Sequence, residues 1–318
     1  MHDNRKIKIE VHATEAWLTL DWQRKHLAPL EIVAPEFNPN TDAFLFYEET
    51  VVEPSTYSKA PIEKRFGLLT EPSAGRPFSA KSISHVNQFR VIFTHDPFLL
   101  SLNLNYRKNY FGTSWVFQDA DLVSAPPKSK IISMLTSNLS RLPGHKLRLS
   151  ICKKMYNKKC NVDIFGRNIP WGPFIQDRRD TLAPYLFNIS IENCRRNNYF
   201  TEKLVDCFVT RTVPIYWGCP NISEFFNTDG MIIINGEREF WYQFERVMSN
   251  PAGIYESHRN ALEENCRMAI EKYNVRYAWG NVATQIANEL KKEFKKAEMR
   301  IIPSEKSKKV EFEREKSP

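Results

Sequence analysis

The run Glu192-Asn193-Cys194-Arg195-Arg196-Asn197-Asn198-Tyr199-Phe200-Thr201-Glu202-Lys203 brings three carboxylate, ammonium and amide types together within twelve residues. A nearly apolar strand, 185–191, ends at Glu192-Asn193, a polar loop follows, and the pattern predicts a helix from about Tyr199 to Arg211. Ligands of open α/β sheets bind outside the carboxyl ends of the strands. A helix that starts there offers unpaired N–H groups and a partial positive charge, which suits a phosphate. Lys203, in the first turn, adds an ammonium to that anion site, and Glu202 can accept hydrogen bonds from ribose hydroxyls. Leu204, Val205, Phe208 and Val209 form the buried face, which leaves the first-turn polar groups to a ligand.

The elements that position this loop follow from hydrophobic periodicity. Strand 185–191, helix 199–211 and strand 213–217 make a parallel βαβ unit. Further strands are expected at 131–136, 161–165 (closed by Gly166) and 230–234. Helices are expected at 145–157, with Leu147, Ile151 and Met155 on one face, and at 238–249, 253–273 and 280–299. In the first half, 6–11, 43–47, 66–70 and 89–94 read as strands separated by Pro54, Pro61, Pro72, Pro77 and Pro97. The polar, proline-containing stretch from Gln118 to Lys128 divides the chain. The expected organisation is an N-terminal domain over 1–125, a second domain over 126–285, and a C-terminal helix and basic tail over 286–318.

With 318 residues, 42% of them hydrophobic and 40 aromatic, the chain can fill two cores. The eleven glycines form no GxGxxG, Walker-type or GxSxG motif, so three common enzyme signatures are absent. The formal charge of +8 implies an anionic partner. Half of it lies in 291–318, where Lys291, Lys292, Lys295 and Lys296 cluster among Glu293 and Glu298. That tail reads either as a solvated helix end or as a contact with an anionic membrane surface. No nucleic-acid motif is found, so no nucleic acid is expected as a partner. The charged start lacks an apolar h-region and the six cysteines form no CxxC, so a reducing, cytoplasmic location is expected, peripheral at the inner face of a membrane if the tail binds lipid. None of the seven histidines has metal-ligand spacing. Asp119-Ala120-Asp121 has the DxD form that holds Mn²⁺ in sugar transferases of another fold, but it stands outside the βαβ unit, and no metal site is assigned.

The segments YLFNISIEN (185–193), NYFTEKLVDCF (198–208), TVPIYWGCPNI (212–222) and FFNTDGMIII (225–234) closely resemble the α-1,3/4-fucosyltransferases of glycosyltransferase family ten. SNLSRLPGHKLR (137–148) and DIFGR (163–167) resemble that family's upstream segments, whereas the first 120 residues match poorly. The resemblance implies an α/β fold of two Rossmann-like domains facing a cleft, the GT-B architecture, with a C-terminal helical extension. It implies inverting transfer of L-fucose from GDP-fucose to a glycan hydroxyl, α-1,3 to N-acetylglucosamine or glucose. The implied acceptor is an oligosaccharide or a lipid-linked glycan. No cofactor is required, and a divalent metal at most stimulates.

Residue by residue, the resemblance places Lys203 and Arg148 at the diphosphate, Glu202, Asn193 and Tyr199 in donor binding, and Glu192 in orienting the loop. Such a reaction needs a general base. Glu71, in LLTEPS (68–73) at the end of an N-domain strand, is assigned that role, although Thr70-Glu71-Pro72 departs from the family's glycine-glutamate-asparagine. Asp96 is the alternative base. The rival readings are the same scaffold with another GDP-sugar, and a catalytically silent relative that binds glycan or membrane.

Overall fold

The computed structural model describes residues 7–14, 31–33, 35–72, 78–110, 112–117, 124–273 and 275–301, side chains of 32, 275–278 and 293–301 excepted. Asp119 and Asp121, Lys295 and Lys296 as side chains, and the tail beyond Ile301 lie outside this set.

Two all-parallel sheets carry the fold. The first contains β1 (Lys8–His12), β2 (Glu31–Val33), β3 (Ala43–Tyr47), β4 (Arg65–Leu69), β5 (Val91–Thr94) and β6 (Tyr106–Lys108), in the order β2-β1-β3-β4-β5-β6. The second contains β7 (Lys130–Ser137), β8 (Asp163–Arg167), β9 (Tyr185–Ile191), β10 (Val213–Trp217) and β11 (Ile232–Ile233), in the order β11-β10-β9-β7-β8. Parallel sheets are covered on both faces, which is why the inner strands β3, β4, β5, β9 and β10 are buried almost throughout, without alternation. In β3, Ala43, Leu45 and Tyr47 enter one core cluster while Phe44 and Phe46 enter another on the opposite face.

Five longer helices follow the strands of the second half: α1 (Pro143–Asn157), α2 (Glu202–Val209), α3 (Glu237–Ser249), α4 (Pro251–Lys272) and α5 (Val275–Ile301). α1 leaves β7 and leads to β8. The chain then crosses back over β7 to β9, and α2 leads on to β10. The sheet's switch point therefore lies between the ends of β7 and β9, with α1 starting beside it.

Several expectations shift. β8 runs through Gly166 to Arg167, and the strand expected at 230–234 is reduced to Ile232 and Ile233, after a 3-10 turn at Thr228–Gly230. α2 starts at Glu202, not near Tyr199, and it has no polar face: Asp206 and Cys207 are buried along with its apolar residues. α5 begins well before residue 286 and crosses to the first half of the chain. Its Trp279, Val282 and Ile286 join Ile9, Val11, Leu45, Phe66, Leu68 and Phe93 in one core. Asn281 Nδ2 and Gln285 Nε2 both donate to Asn109 Oδ1, at 3.2 and 3.1 Å. The last helix thus covers one face of the first sheet.

Candidate active site

The carboxyl ends of both sheets face one cavity of about 110 Å³. From the first sheet it is lined by Tyr47 at the end of β3, Thr70 and Glu71 after β4, and His95 after β5. Thr113 and Trp115 close one side. Asn198, Tyr199, Phe200, Thr201 and Glu202 face them from the loop after β9.

That loop is held by its own first residue. Glu192 is buried; its Oε1 accepts from Thr201 N and its Oε2 from Thr201 Oγ1, both at 2.8 Å. Thr201 is the N-cap of α2 and accepts from Lys203 N. Tyr199 and Phe200, read from sequence as the first residues of the helix, lie in the loop because Glu192 claims the residue after them. Asn198 takes a left-handed φ of 65°, which asparagine tolerates. Its N–H donates to Asn221 Oδ1 at 2.8 Å, and its Nδ2 reaches the His95 carbonyl at 3.3 Å.

A cationic group sits at the switch point. Arg148 on α1 is only 5% exposed; its Nη2 donates to Asn193 Oδ1 at 2.8 Å, and its Nε is buried with no hydrogen-bond partner. His145 Nε2 donates to the same Asn193 Oδ1 at 3.1 Å, and its Nδ1 accepts from Leu142 N at 3.3 Å. Those two partners fix the neutral tautomer. Burial lowers the His145 pKa first, and nearby Arg148, Lys203 and Arg141 lower it further. Gly144 N donates to Asn193 O at 3.0 Å, and a Cβ at Gly144 would collide with the Glu192 carbonyl. Glycine is what lets the start of α1 close on the end of β9.

Lys203 Nζ donates to Glu202 Oε1 at 3.0 Å and to Thr201 Oγ1 at 3.2 Å, with Glu192 Oε2 at 3.8 Å. The first-turn groups expected to be free for ligand are therefore paired with each other. Burial opposes ionisation of Glu202, but Lys203 and Arg178 outweigh it and hold its pKa down to about 2. Glu192, with one ammonium at a distance, is pushed upward by burial.

Arg178 was not singled out from sequence. Its Nη1 lies 3.7 Å from Glu202, and its Nε donates to Asp206 Oδ2 at 2.6 Å. The other oxygen of Asp206 accepts from Ser114 Oγ at 2.9 Å and Trp115 N at 2.8 Å. A buried carboxylate on α2 thus ties down the segment that supplies Thr113 and Trp115. No local pattern marks such a pairing across 92 residues.

On the opposite wall, Glu71 N donates to Oε1 of buried Glu48 at 2.8 Å, Thr70 Oγ1 donates to it at 2.9 Å, and Thr70 N donates to it as well. Burial pushes the Glu48 pKa up to about 7 against these bonds. Burial raises the pKa of Tyr199 and Cys194, and the charge of Glu71 adds to it from across the cavity. Asp96, the alternative base, accepts from Phe98 N at 2.9 Å and caps the short helix Pro97–Ser101; it does not line the cavity. Trp217 packs in the core of the second half, and Trp171 packs against it. Among the described residues no group of three His, Cys, Asp or Glu is placed to hold a metal ion, and no helix is long and apolar enough to cross a membrane.

Of the seven residues assigned from sequence, Glu71, Tyr199 and Glu202 line the cavity. Arg148, Asn193 and Lys203 form the cationic group beside it, and Glu192 braces the loop between them.

Comparison with known proteins agrees with this architecture. Residues 125–242 match the family model described as glycosyltransferase family 10 (fucosyltransferase), C-terminal part. An α-(1,3)-fucosyltransferase of Helicobacter pylori is 32% identical over 66 residues, 21% of this chain and 14% of that protein. The human 4-galactosyl-N-acetylglucosaminide 3-α-L-fucosyltransferase 9 is 27% identical over 130 residues, 38% of this chain and 34% of that protein. The matches thus span about a third or less of the curated relatives. A crystal structure of an α1,3-fucosyltransferase with GDP superposes with a TM-score of 0.58 at 18% identity, covering 92% of both chains. Anabaena HepE in complex with UDP reaches 0.56 at 10% identity, over 89% of this chain and all of that one. These two show the fold: two parallel-sheet domains in the GT-B arrangement. The matched segment 125–242 contains Arg148, Asn193, Glu202 and Lys203 and lies in the second of those domains, so the similarity to glycosyltransferase family 10 falls on the part of the chain that carries the cationic group.

Proposed function

We propose that the protein is an inverting fucosyltransferase that moves L-fucose from GDP-fucose to a hydroxyl of a glycan, α-1,3 to N-acetylglucosamine or glucose. The observation that carries the reading is the buried cationic group at the switch point. Arg148 keeps a buried N–H without a partner there, beside Lys203 and the start of α1. A diphosphate fits that chemistry: guanidinium and ammonium donors together with a helix N-terminus.

The reaction follows from the two walls. The acceptor hydroxyl loses its proton to Glu71 as its oxygen attacks the anomeric carbon of fucose. The bond to the β-phosphate oxygen breaks on the opposite face, and GDP departs with the bonding pair. Charge develops on the leaving diphosphate, where Arg148 and Lys203 are already in place and need little reorganisation. Glu202, held ionised, accepts hydrogen bonds from the ribose hydroxyls. Asn193 and Tyr199 contact the donor, and Glu192 acts through Thr201 on the geometry of the loop. With two cations on the diphosphate, turnover needs no metal cofactor, and a divalent ion at most stimulates. The expected location is cytoplasmic, with the Lys291–Lys296 end as a peripheral contact to anionic lipid; sedimentation with phosphatidylglycerol vesicles tests that part separately.

The central test is calorimetric titration with GDP, GDP-fucose, GDP-mannose and UDP-galactose, followed by turnover with N-acetyllactosamine. GDP and GDP-fucose should bind while UDP-galactose stays silent. Preference for GDP-mannose would overturn the sugar, and silence toward every nucleotide would overturn the transferase reading.

A further inference from the structure

Two polar atoms on the cavity wall are buried without a hydrogen-bond partner: His95 Nδ1 and Thr113 Oγ1. Their residues are 5% and 2% exposed. Buried polar atoms are almost always satisfied, so each exception asks for a cause. The state of His95 is set by its surroundings. Its Nε2 lies 3.0 Å from the Thr70 carbonyl oxygen, which only accepts, so Nε2 carries the proton and Nδ1 is left as an acceptor. The ring is fixed against Tyr199, with centroids 5.4 Å apart, and its carbonyl receives Asn198 Nδ2.

Thr113 offers a hydroxyl, able to donate or accept. Two residues on, Trp115 is 40% exposed on the same cavity, an apolar plate among polar groups. Its backbone is pinned through Asp206, itself held by Arg178, so the indole stands on a fixed support. Water can satisfy an orphan polar atom but leaves an exposed indole face uncovered. Two such atoms beside an indole match a ligand with several hydroxyls and one apolar C–H face, which describes a pyranose.

We infer that His95, Thr113 and Trp115 form a pyranose subsite that holds the acceptor glycan against Glu71, with a sugar O–H donating to His95 Nδ1, a second hydroxyl bonded to Thr113 Oγ1, and the ring face on the Trp115 indole. This deepens the transferase reading, on which it rests only for the word acceptor; the saccharide contacts stand on the geometry of the cavity. None of the three residues touches the cationic group around Asn193, and His95 meets the donor loop only at Tyr199 and Asn198, so glycan and nucleotide binding should separate by mutation, most cleanly at Thr113 and Trp115.

The test probes the GDP-saturated protein on a printed array of pyranose glycans, with calorimetry on the best-bound glycan, and titrates each variant with GDP-fucose. His95→Leu, Thr113→Val and Trp115→Ala should each weaken glycan binding by roughly ten-fold or more, the loss expected for one buried contact. GDP affinity should stay at the wild-type level, which also reports that the variants fold. Thr113→Ser and Trp115→Phe should retain most binding. His95→Asn, whose Oδ1 replaces Nδ1, should rescue better than His95→Gln, which reaches only the Nε2 position. No glycan bound by the wild type, or wild-type glycan affinity in His95→Leu and Thr113→Val, overturns the subsite even if GDP-fucose binds. Glycan binding that depends on these residues while GDP-fucose stays silent keeps the subsite and removes the fucosyltransferase reading.

Discussion

On the C-terminal wall of the cleft the charges are numerous and already engaged. Lys203 is on Glu202, Arg178 on Asp206 and Glu202, and Arg148 on Asn193. On the N-terminal side the groups facing the cavity are mostly neutral, and two of them, His95 Nδ1 and Thr113 Oγ1, are buried with no partner. The difference matches the two substrates proposed. A diphosphate needs fixed charges whose positions survive an empty site, and ion pairing supplies that rigidity at a desolvation cost. A glycan needs directional neutral acceptors and donors and an apolar face. What the contrast teaches is that the wall proposed for the donor is organised by its own salt bridges, whereas the wall proposed for the acceptor keeps buried polar atoms open for a ligand.

The contrast can be broken from either side. The largest effect is expected for Glu71→Gln, which should reduce turnover by about 10²–10⁴-fold, the range for a general base, with GDP affinity unchanged. Steady-state kinetics beside calorimetry would check it, and normal turnover would end the assignment of the base. Lys203→Ala should lower turnover by about 10²–10³-fold, as for loss of one preorganised donor, and should weaken GDP. Here undiminished GDP binding would count against a diphosphate on that wall.

Asp206→Ala leaves half-buried Arg178 with only the more distant Glu202 carboxylate and loosens Ser114 and Trp115. Denaturant unfolding should register a loss of about 3–5 kcal/mol, as when one partner of a buried pair is removed. A loss under half of that would mean the two walls are not tied through this carboxylate.

Glu48 gives the pH signature. Its folded pKa is raised to about 7 from an ordinary 4.5, chiefly by burial. Between those values the folded state binds more protons than the unfolded one, so this group lowers stability as pH climbs from about 4.5 to 7 and adds no slope below. Relative to Glu48→Gln, the wild type should lose on the order of 3 kcal/mol across that window. Parallel stability curves for the two proteins would refute the raised carboxyl. The smallest effect is expected from a chelator, which should leave turnover largely intact; complete loss restored by Mn²⁺ would bring Asp119 and Asp121 back into the reaction.

Legibility differed between the walls for physical reasons. Strands such as YLFNISI and AFLFY announce themselves by continuous apolar runs, and the order strand, loop, helix around Glu192–Lys203 puts the loop at the carboxyl end of a sheet. The start of α2 was misplaced because Tyr199 and Phe200 look like helix residues; what delays the helix is a side chain nine positions earlier, bonded to Thr201. The face of α5 bearing Trp279, Val282 and Ile286 has helical spacing in the sequence, yet nothing in that spacing says that the face covers the first sheet.

Taken alone, the sequence determined the elements and the donor loop, because strand runs, helix faces and the polar residues between them are set by neighbours within a few positions. It also carried the resemblance to a family, through contiguous segments from 185 to 234. Only the tertiary structure decided which groups are left unsatisfied on the cavity wall, that Asp96 caps a helix rather than facing the cleft, and that Arg178 and Asp206 anchor Trp115. The anchoring of Trp115 depends on partners 28 to 92 residues away, and hydrogen bonds of that range leave no periodic trace in the chain; the Asp96 cap is local, to Phe98, and what the fold adds is that Asp96 stays off the cavity wall.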